Sequence, residues 1–216
     1  MKTNKFSTEC RLCPRLAAFL DEVSAAHPDY FAKPVPSFGK AGTPLLIVGL
    51  APGMHGANRT GRPFTGDYAG DLLYSTLHKY GLATAAEPLD VNKNANPKLS
   101  LKGCRITNAV RCLPPQNKPE PAEIRQCNAY LVQELAALPQ GAAVMALGLI
   151  AHAAVLRACG LKAGDFKFAH NARHELPGGL KLYDSYHCSR YNTQTKRLTE
   201  AMFHQVFESI LEQQKS

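Results

Sequence analysis

Seven cysteines punctuate the chain: Cys10, Cys13, Cys104, Cys112, Cys127, Cys159 and Cys188. Four of them form two spaced pairs, Cys10-x2-Cys13 and Cys112-x14-Cys127. A two-residue gap lets both sulfurs face one ion. The second pair joins the first if an N-terminal helix packs beside the 110–127 loop. Such a set holds either zinc or an iron–sulfur cluster, and spacing leaves the metal open. An odd cysteine count with no secretory leader argues against a disulfide framework. Cys104 and Cys159 read as core residues.

Two further segments carry reactive side chains on glycine-rich or polar backbone. The first runs Gly49-Leu-Ala-Pro-Gly-Met-His-Gly-Ala-Asn-Arg-Thr-Gly-Arg-Pro-Phe-Thr-Gly-Asp67, with Asp71 four residues on. The second is Tyr186-His-Cys-Ser-Arg-Tyr-Asn-Thr193, and between them lies Ile106-Thr-Asn-Ala-Val-Arg-Cys112. Phe64, after a proline in a glycine-rich loop, suits a stacking platform, or a core position beneath the loop. Asn108 carries donor and acceptor in one planar amide. Asp67 or Asp71 could work on a substrate or simply cap the next helix.

The elements that must position these residues alternate between helical and strand periods. Residues 10–26 predict a helix with Leu12, Leu16, Phe19, Leu20 and Val23 on one face. Leu45–Leu50 is a short apolar run suited to a buried parallel strand. A long loop to about Gly70 and a helix to Tyr80 follow. Arg105–Val110 predicts a strand, then Pro114, Pro115, Pro119 and Pro121 stiffen a loop before a helix to about Leu138. Ala142–Leu147 and Lys181–Tyr186 predict two more strands, with a helix through Ala158 between them. Thr193 is placed to cap a final helix to about Leu211. The expected fold is a three-layer αβα sandwich around a mainly parallel four-stranded sheet, in a single domain over 1–216. In such folds ligands bind outside the carboxyl ends of the strands, where three of these loops begin.

Bulk properties narrow the function classes. The 216 residues are 45% apolar and 19% charged, a globular composition rather than a disordered one. No apolar run of about 18 residues is present, which excludes a helical membrane span, and the short polar start suggests a cytoplasmic location, beside the nucleoid in a prokaryote. The net charge of +8 favours a polyanionic partner. Between Val91 and Pro119 stand six basic residues (Lys93, Lys98, Lys102, Arg105, Arg111, Lys118) and no acidic one, either a phosphate-facing strip or a solvated face.

The segment Gly61-Arg-Pro-Phe-Thr-Gly66 resembles the iron–sulfur branches of the uracil-DNA glycosylase superfamily, as does the four-cysteine pattern. The longer string His55-Gly-Ala-Asn-Arg-Thr-Gly-Arg62 resembles family 5 (type B) in particular. The likeness runs from Cys10 to about Thr199. It implies a structural [4Fe–4S] cluster on Cys10, Cys13, Cys112 and Cys127. It implies DNA containing uracil or another deaminated base as partner, excision of that base in base excision repair, and a monomer.

The chemistry agrees with that implication. A base must leave the stack to be processed. The resemblance places Ala51, Gly53, His55, Phe64 and Asn108 around it, Phe64 stacking and Asn108 matching the N3–H and O4 of uracil. Cleavage of the N-glycosidic bond leaves negative charge on the base, which His187 would stabilise at O2. Where other branches carry a carboxylate or Asn, this chain has Ala51, so Asp67, or else Asp71, becomes the group that activates water or steadies the cationic sugar. Tyr191 would be the wedge that fills the gap in the duplex. Arg59, Arg62, Ser189, Arg190 and Asn192 would meet the DNA backbone, with Lys196 and Arg197 beyond. Cys188 stands where the superfamily often has proline. The alternatives are a non-catalytic or adduct-forming binder of damaged bases, which would carry a basic insertion not found here, an iron–sulfur redox protein, and an RNA-binding domain.

Overall fold

The computed structural model describes residues 5–214. Five strands form one sheet: β1 (Leu45–Gly49), β2 (Cys104–Asn108), β3 (Ala143–Leu147), β4 (Arg173–Glu175) and β5 (Lys181–Ser185). Their order is β2-β1-β3-β5-β4, parallel throughout except for the antiparallel β4–β5 pair. The sequence expectation of four strands thus falls one short. The missing strand, Arg-His-Glu, has no apolar alternation because it is a three-residue edge with Arg173 and Glu175 exposed.

The pleat sorts side chains onto two faces. Leu45, Ile47, Ile106, Met145 and Tyr183 pack beneath α3 (Tyr68–Lys79) and α7 (Glu200–Gln213), against Leu73, Tyr74, Leu77, Phe203, Val206 and Phe207. Leu46, Val48, Val144, Ala146 and Leu182 pack beneath α4 (Pro121–Ala136) and α5 (Leu149–Ala158), against Leu131, Leu135, Ala151, Val155 and Leu156. The result is three layers. A third cluster joins α1 (Pro14–Ala26) to the chain after β2 through Leu16, Leu20, Val23, Val110, Leu113 and Tyr130. The connection β1–α3–β2 runs one way from the sheet centre and β3–α5–β5 the other. The chain therefore reverses between β1 and β3, which opens a crevice at their carboxyl ends.

Several boundaries differ from the sequence expectation. The first helix begins at Pro14, not residue 10, because proline favours the first helical position, and Leu12 is exposed rather than on the packed face. The glycine-rich loop contains a short helix, α2 (Ala57–Thr60), and ends at Asp67, where α3 starts. Thr193 caps nothing. Ser189 caps α6 (Arg190–Gln194), and Thr199 caps α7 by accepting from Met202 N–H at 3.2 Å. Cys104 is buried as expected, whereas Cys159 is half-buried.

The edge of the sheet is pinned by a buried charge network. The His152 ring nitrogen Nδ1 meets Asp184 Oδ1 at 2.8 Å, its Nε2 meets the Phe166 carbonyl at 3.1 Å, and His174 Nε2 meets Asp184 Oδ2 at 3.1 Å. A carbonyl only accepts, so Nε2 carries a proton, and Nδ1 carries another toward the carboxylate. Burial opposes this imidazolium, but the hydrogen bond and charge of Asp184 outweigh it and raise the His152 pKa.

Candidate active site

The crevice is a cavity of about 490 Å³. The end of β1 supplies its floor through an absence of atoms. A Cβ on Gly49 would stand 2.4 Å from Asn108 Oδ1 and 2.6 Å from Phe64 Cζ, so only glycine lets the amide and the ring share that floor. Asn108 closes β2 and is 4% exposed, and its Oδ1 is buried with no hydrogen-bond partner. Phe64 is buried at φ +53°, a conformation non-glycine residues rarely hold unless the surroundings impose it. Here they do: a Cβ on Gly70 would fall 1.8 Å from the Phe64 carbonyl oxygen, so α3 presses directly on that peptide. The His187 ring, from the loop after β5, lies 6.1 Å from the Phe64 ring and 29° from parallel. Burial lowers the His187 pKa, so the imidazole is neutral at pH 7 and can donate one hydrogen bond.

The two aspartates separate cleanly. Asp67 lines the cavity and also caps α3, accepting from Gly70 N–H at 2.9 Å. Its other oxygen rests against Gly56, where a Cβ would approach to 2.8 Å. Burial raises its pKa against the opposing backbone hydrogen bonds of Gly70 and Ala69. Asp71 lies one turn into α3, exposed and outside the cavity lining. Its pKa is raised by burial and by Asp67, and lowered in part by Arg190. Ala51, Gly53 and His55 line the cavity as the sequence places them. His55 is at the rim, its Nδ1 2.8 Å from the Tyr30 hydroxyl, and Tyr30 stacks on His27 at 4.4 Å.

The surface residues divide in the same way. Ser189 and Arg190 line the cavity, Arg190 lying over the Tyr68 ring at 5.5 Å, and Tyr191 is 72% exposed on α6. Asn192 points inward: its Nδ2 donates to the His187 carbonyl at 2.8 Å, so it positions the histidine loop. Arg59 donates to the His55 carbonyl at 2.9 Å. Arg62 lies over the Phe38 ring and donates to the Asn96 carbonyl at 2.9 Å, outside the cavity lining. The basic run between 91 and 119 is not one strip. Arg105 and Arg111 both pair with Glu134, whereas Lys93, Lys98, Lys102 and Lys118 are exposed.

The four paired cysteines do converge. Cys10, Cys13, Cys112 and Cys127 line one pocket between α1, the loop after β2 and α4. Burial raises the thiol pKa of Cys112 and Cys127, that of Cys127 to about 11; Cys127, Cys10 and Cys13 raise that of Cys112 further, and Cys13 and Cys10 that of Cys127. Such thiols ionise readily only beside positive charge. Two donors already face the sulfurs: Arg111 N–H to Cys127 Sγ and the Tyr130 hydroxyl to Cys10 Sγ, both at 3.4 Å. Among the described residues, His152, His174 and Asp184 form the one trio of ligand atoms within 4.8 Å of one another. Four thiols with N–H and O–H partners are a donor set compatible with a metal ion or an iron–sulfur cluster.

Sequence reasoning missed Asn117, Met54 and Tyr68, all of which line the cavity. Met54 lies inside the quoted glycine-rich segment and Tyr68 directly after it, but Asn117 lies in a proline-rich loop whose path no periodicity reveals.

A cavity floored by an amide and an aromatic ring, at the switch point of a parallel sheet, has the shape and polarity to take a flat polar ring. Comparison with known proteins agrees. A family model described as the uracil DNA glycosylase superfamily matches residues 36–211. The chain is 48% identical over 204 residues to a type-5 uracil-DNA glycosylase of Thermus thermophilus, covering 92% of this chain and 91% of that one. It is 42% identical over 206 residues to the type-5 enzyme of Mycobacterium leprae (92% and 88% covered), and 37% over 194 to that of Pyrobaculum aerophilum (88% and 82%). This chain belongs to the uracil-DNA glycosylase superfamily.

Proposed function

We infer that this protein excises uracil from DNA by hydrolysing the N-glycosidic bond, leaving an abasic site for base excision repair. One observation carries the reading: the buried, partnerless Asn108 Oδ1 beside the Phe64 ring. A buried acceptor without a donor is costly and calls for explanation. The N3–H of a flipped uracil supplies that donor, while Asn108 Nδ2 donates to O4. Cytosine offers an acceptor at N3 and a donor at N4, and so mismatches both.

In this reading Phe64 stacks on the base, and neutral His187 donates to O2 as negative charge develops on the leaving group. Ala51 supplies no base for water. Asp67, close to the base and shielded by Gly53 and Gly56, instead steadies the cationic sugar. The volume of about 490 Å³ supports entry of larger deaminated bases such as hypoxanthine or xanthine. Tyr191, exposed beside the cavity, is the duplex wedge. Ser189, Arg190 and Arg59 lie where the DNA backbone would pass. Cys10, Cys13, Cys112 and Cys127 would hold a structural [4Fe–4S] cluster, whose contribution when bound is to tie α1 to the loop after β2. The chain is read as one domain and a monomer.

The test is alkali-revealed strand cleavage of a labelled duplex carrying one uracil, with hypoxanthine and undamaged controls. Cleavage at the deaminated base only, lost in Asn108→Ala and His187→Ala, is expected. Tight binding of uracil DNA without cleavage would favour a non-catalytic binder of damaged bases.

A further inference from the structure

We propose that His170 is a positioning residue for His187, holding through its ring nitrogen Nδ1 the peptide that leads the His187 side chain into the cavity. This rests on reading His187 as the donor to the departing base. His170 lies outside the cavity lining, on the loop ahead of β4. That loop is fixed to β5 directly after it: Asn171 N–H donates to the Asp184 carbonyl at 2.8 Å, and Asp184 N–H to the Ala172 carbonyl at 2.9 Å. From this anchored start the His170 ring reaches two partners. The Tyr186 N–H donates to its Nδ1 at 3.2 Å, and its Nε2 meets the Met202 carbonyl, in the first turn of α7, at 3.1 Å.

Those partners dictate the form of the ring. A backbone N–H only donates and a carbonyl only accepts, so Nδ1 presents its lone pair and Nε2 carries the proton. His170 is thus a neutral imidazole with both nitrogens engaged, unlike His152, whose ring faces a carboxylate and a carbonyl. Burial, which lowers the His170 pKa, favours the same neutral form. Strand β5 ends at Ser185, so the peptides leading to His187 must find partners among side chains. They find three. His170 takes the Tyr186 N–H, the Ser185 hydroxyl donates to the Tyr186 carbonyl at 2.9 Å, and Asn192 Nδ2 donates to the His187 carbonyl at 2.8 Å. Ser185 and Asn192 belong to the turn's own segment. Among the three, His170 comes from a separate one, and it ties the turn to α7. The contact extends to the rings: His170 and Tyr186 lie 5.2 Å apart and 30° from parallel, and Arg197 sits 4.8 Å over Tyr186. Without the imidazole the Tyr186 N–H loses its acceptor and the turn is free to shift. A displacement of about 1 Å at the reacting centre costs on the order of a hundred-fold in rate.

The experiment uses the full, cluster-loaded protein, assayed well below its thermal unfolding transition. It reads kcat and KM on uracil duplex and, in histidine-labelled protein, the ring-nitrogen NMR shifts of His187. His170→Ala is expected to lower kcat about ten-fold, to leave KM within about two-fold, and to move the His187 shifts. His170→Asn restores kcat to within about three-fold of the parent, because its Oδ1 stands where Nδ1 stood and accepts the same N–H. His170→Gln, whose amide reaches toward the Met202 carbonyl instead, recovers little. In a His187→Ala background, His170→Ala costs less than about two-fold more, since a residue that acts through the imidazole has nothing left to position. A full ten-fold loss in that background would overturn the proposal. So would kcat within two-fold of the parent in His170→Ala, or equal losses in the alanine and asparagine variants. If the parent binds uracil duplex without turning it over, the glycosylase reading fails and the His187 shifts decide alone. Shifts moved in His170→Ala and returned in His170→Asn support the positioning role, and shifts unchanged in His170→Ala overturn it.

Discussion

The two pockets at either side of β2 and its outgoing loop are built by opposite means. The cavity over Gly49 depends on missing atoms: at Gly49, Gly56 and Gly70 a single added carbon would collide with Asn108, Asp67 or the Phe64 peptide. The cysteine pocket depends on atoms supplied from afar, with Cys10 and Cys13 ahead of α1, Cys112 after β2 and Cys127 on α4. One is a shape cut into the ends of a rigid sheet. The other is a bond set that brings separate segments together. Removing a group should therefore unfold the second and silence the first, whereas adding a methyl should harm only the first.

The largest effect is expected at Cys112. In the proposed cluster-bound protein Cys112→Ser removes a ligand from a site whose binding free energy would be folding free energy. Loss of the brown chromophore and a fall in Tm of about 10 °C or more are predicted, read by absorbance and calorimetry. Next come Asn108→Ala and His187→Ala, each lowering kcat about a hundred- to a thousand-fold while the thermal unfolding transition stays near the parent's. Gly49→Ala sharpens the contrast. Its methyl, 2.4 Å from Asn108 Oδ1, should cost about 1–3 kcal/mol in a urea titration and abolish most activity. Gly81→Ala meets nothing within 4 Å, so it pays only for its φ of +75° and leaves activity intact.

The smallest effect separates two histidines near the carboxyl end of β5, His187 just after it and His152 paired with Asp184 within it. His187, its pKa lowered by burial, stays neutral, so kcat should be flat from pH 8 to about 6.5. His152 is raised. Its stabilising contribution is complete below the ordinary value of 6.5 and fades as pH rises through the higher folded value. Urea midpoints should thus decline across that window in the parent and stay flatter in His152→Asn.

Much of this was legible in the sequence because the rules involved are local. Apolar runs at 45–50 and 142–147 suit buried parallel strands, and both are, while the Gly/Pro-rich stretch from Gly49 reads as a loop that in the structure also holds the short helix α2. What escaped notice is non-local. β4 exists because β5 offers it an edge, not because Arg-His-Glu has a strand pattern. Asp67 does two jobs at once, capping α3 and lining the cavity, which spacing alone presents as a choice between them. Charge alone leaves Arg105 and Arg111 either facing phosphate or solvated, and Glu134, on a helix more than twenty residues later, pairs with both instead. Asn192, expected beside the DNA backbone, also donates its amide to the His187 carbonyl, a contact no spacing foretells.

The central claim is that the cavity over Gly49 removes uracil from DNA, and strand cleavage tests it directly. Purified, cluster-loaded protein is incubated with end-labelled duplex carrying one uracil, and the products are resolved after alkali. Cleavage at the uracil alone, reduced at least a hundred-fold in Asn108→Ala, is the predicted result. An intact strand after incubation with protein that binds the same duplex tightly would contradict it.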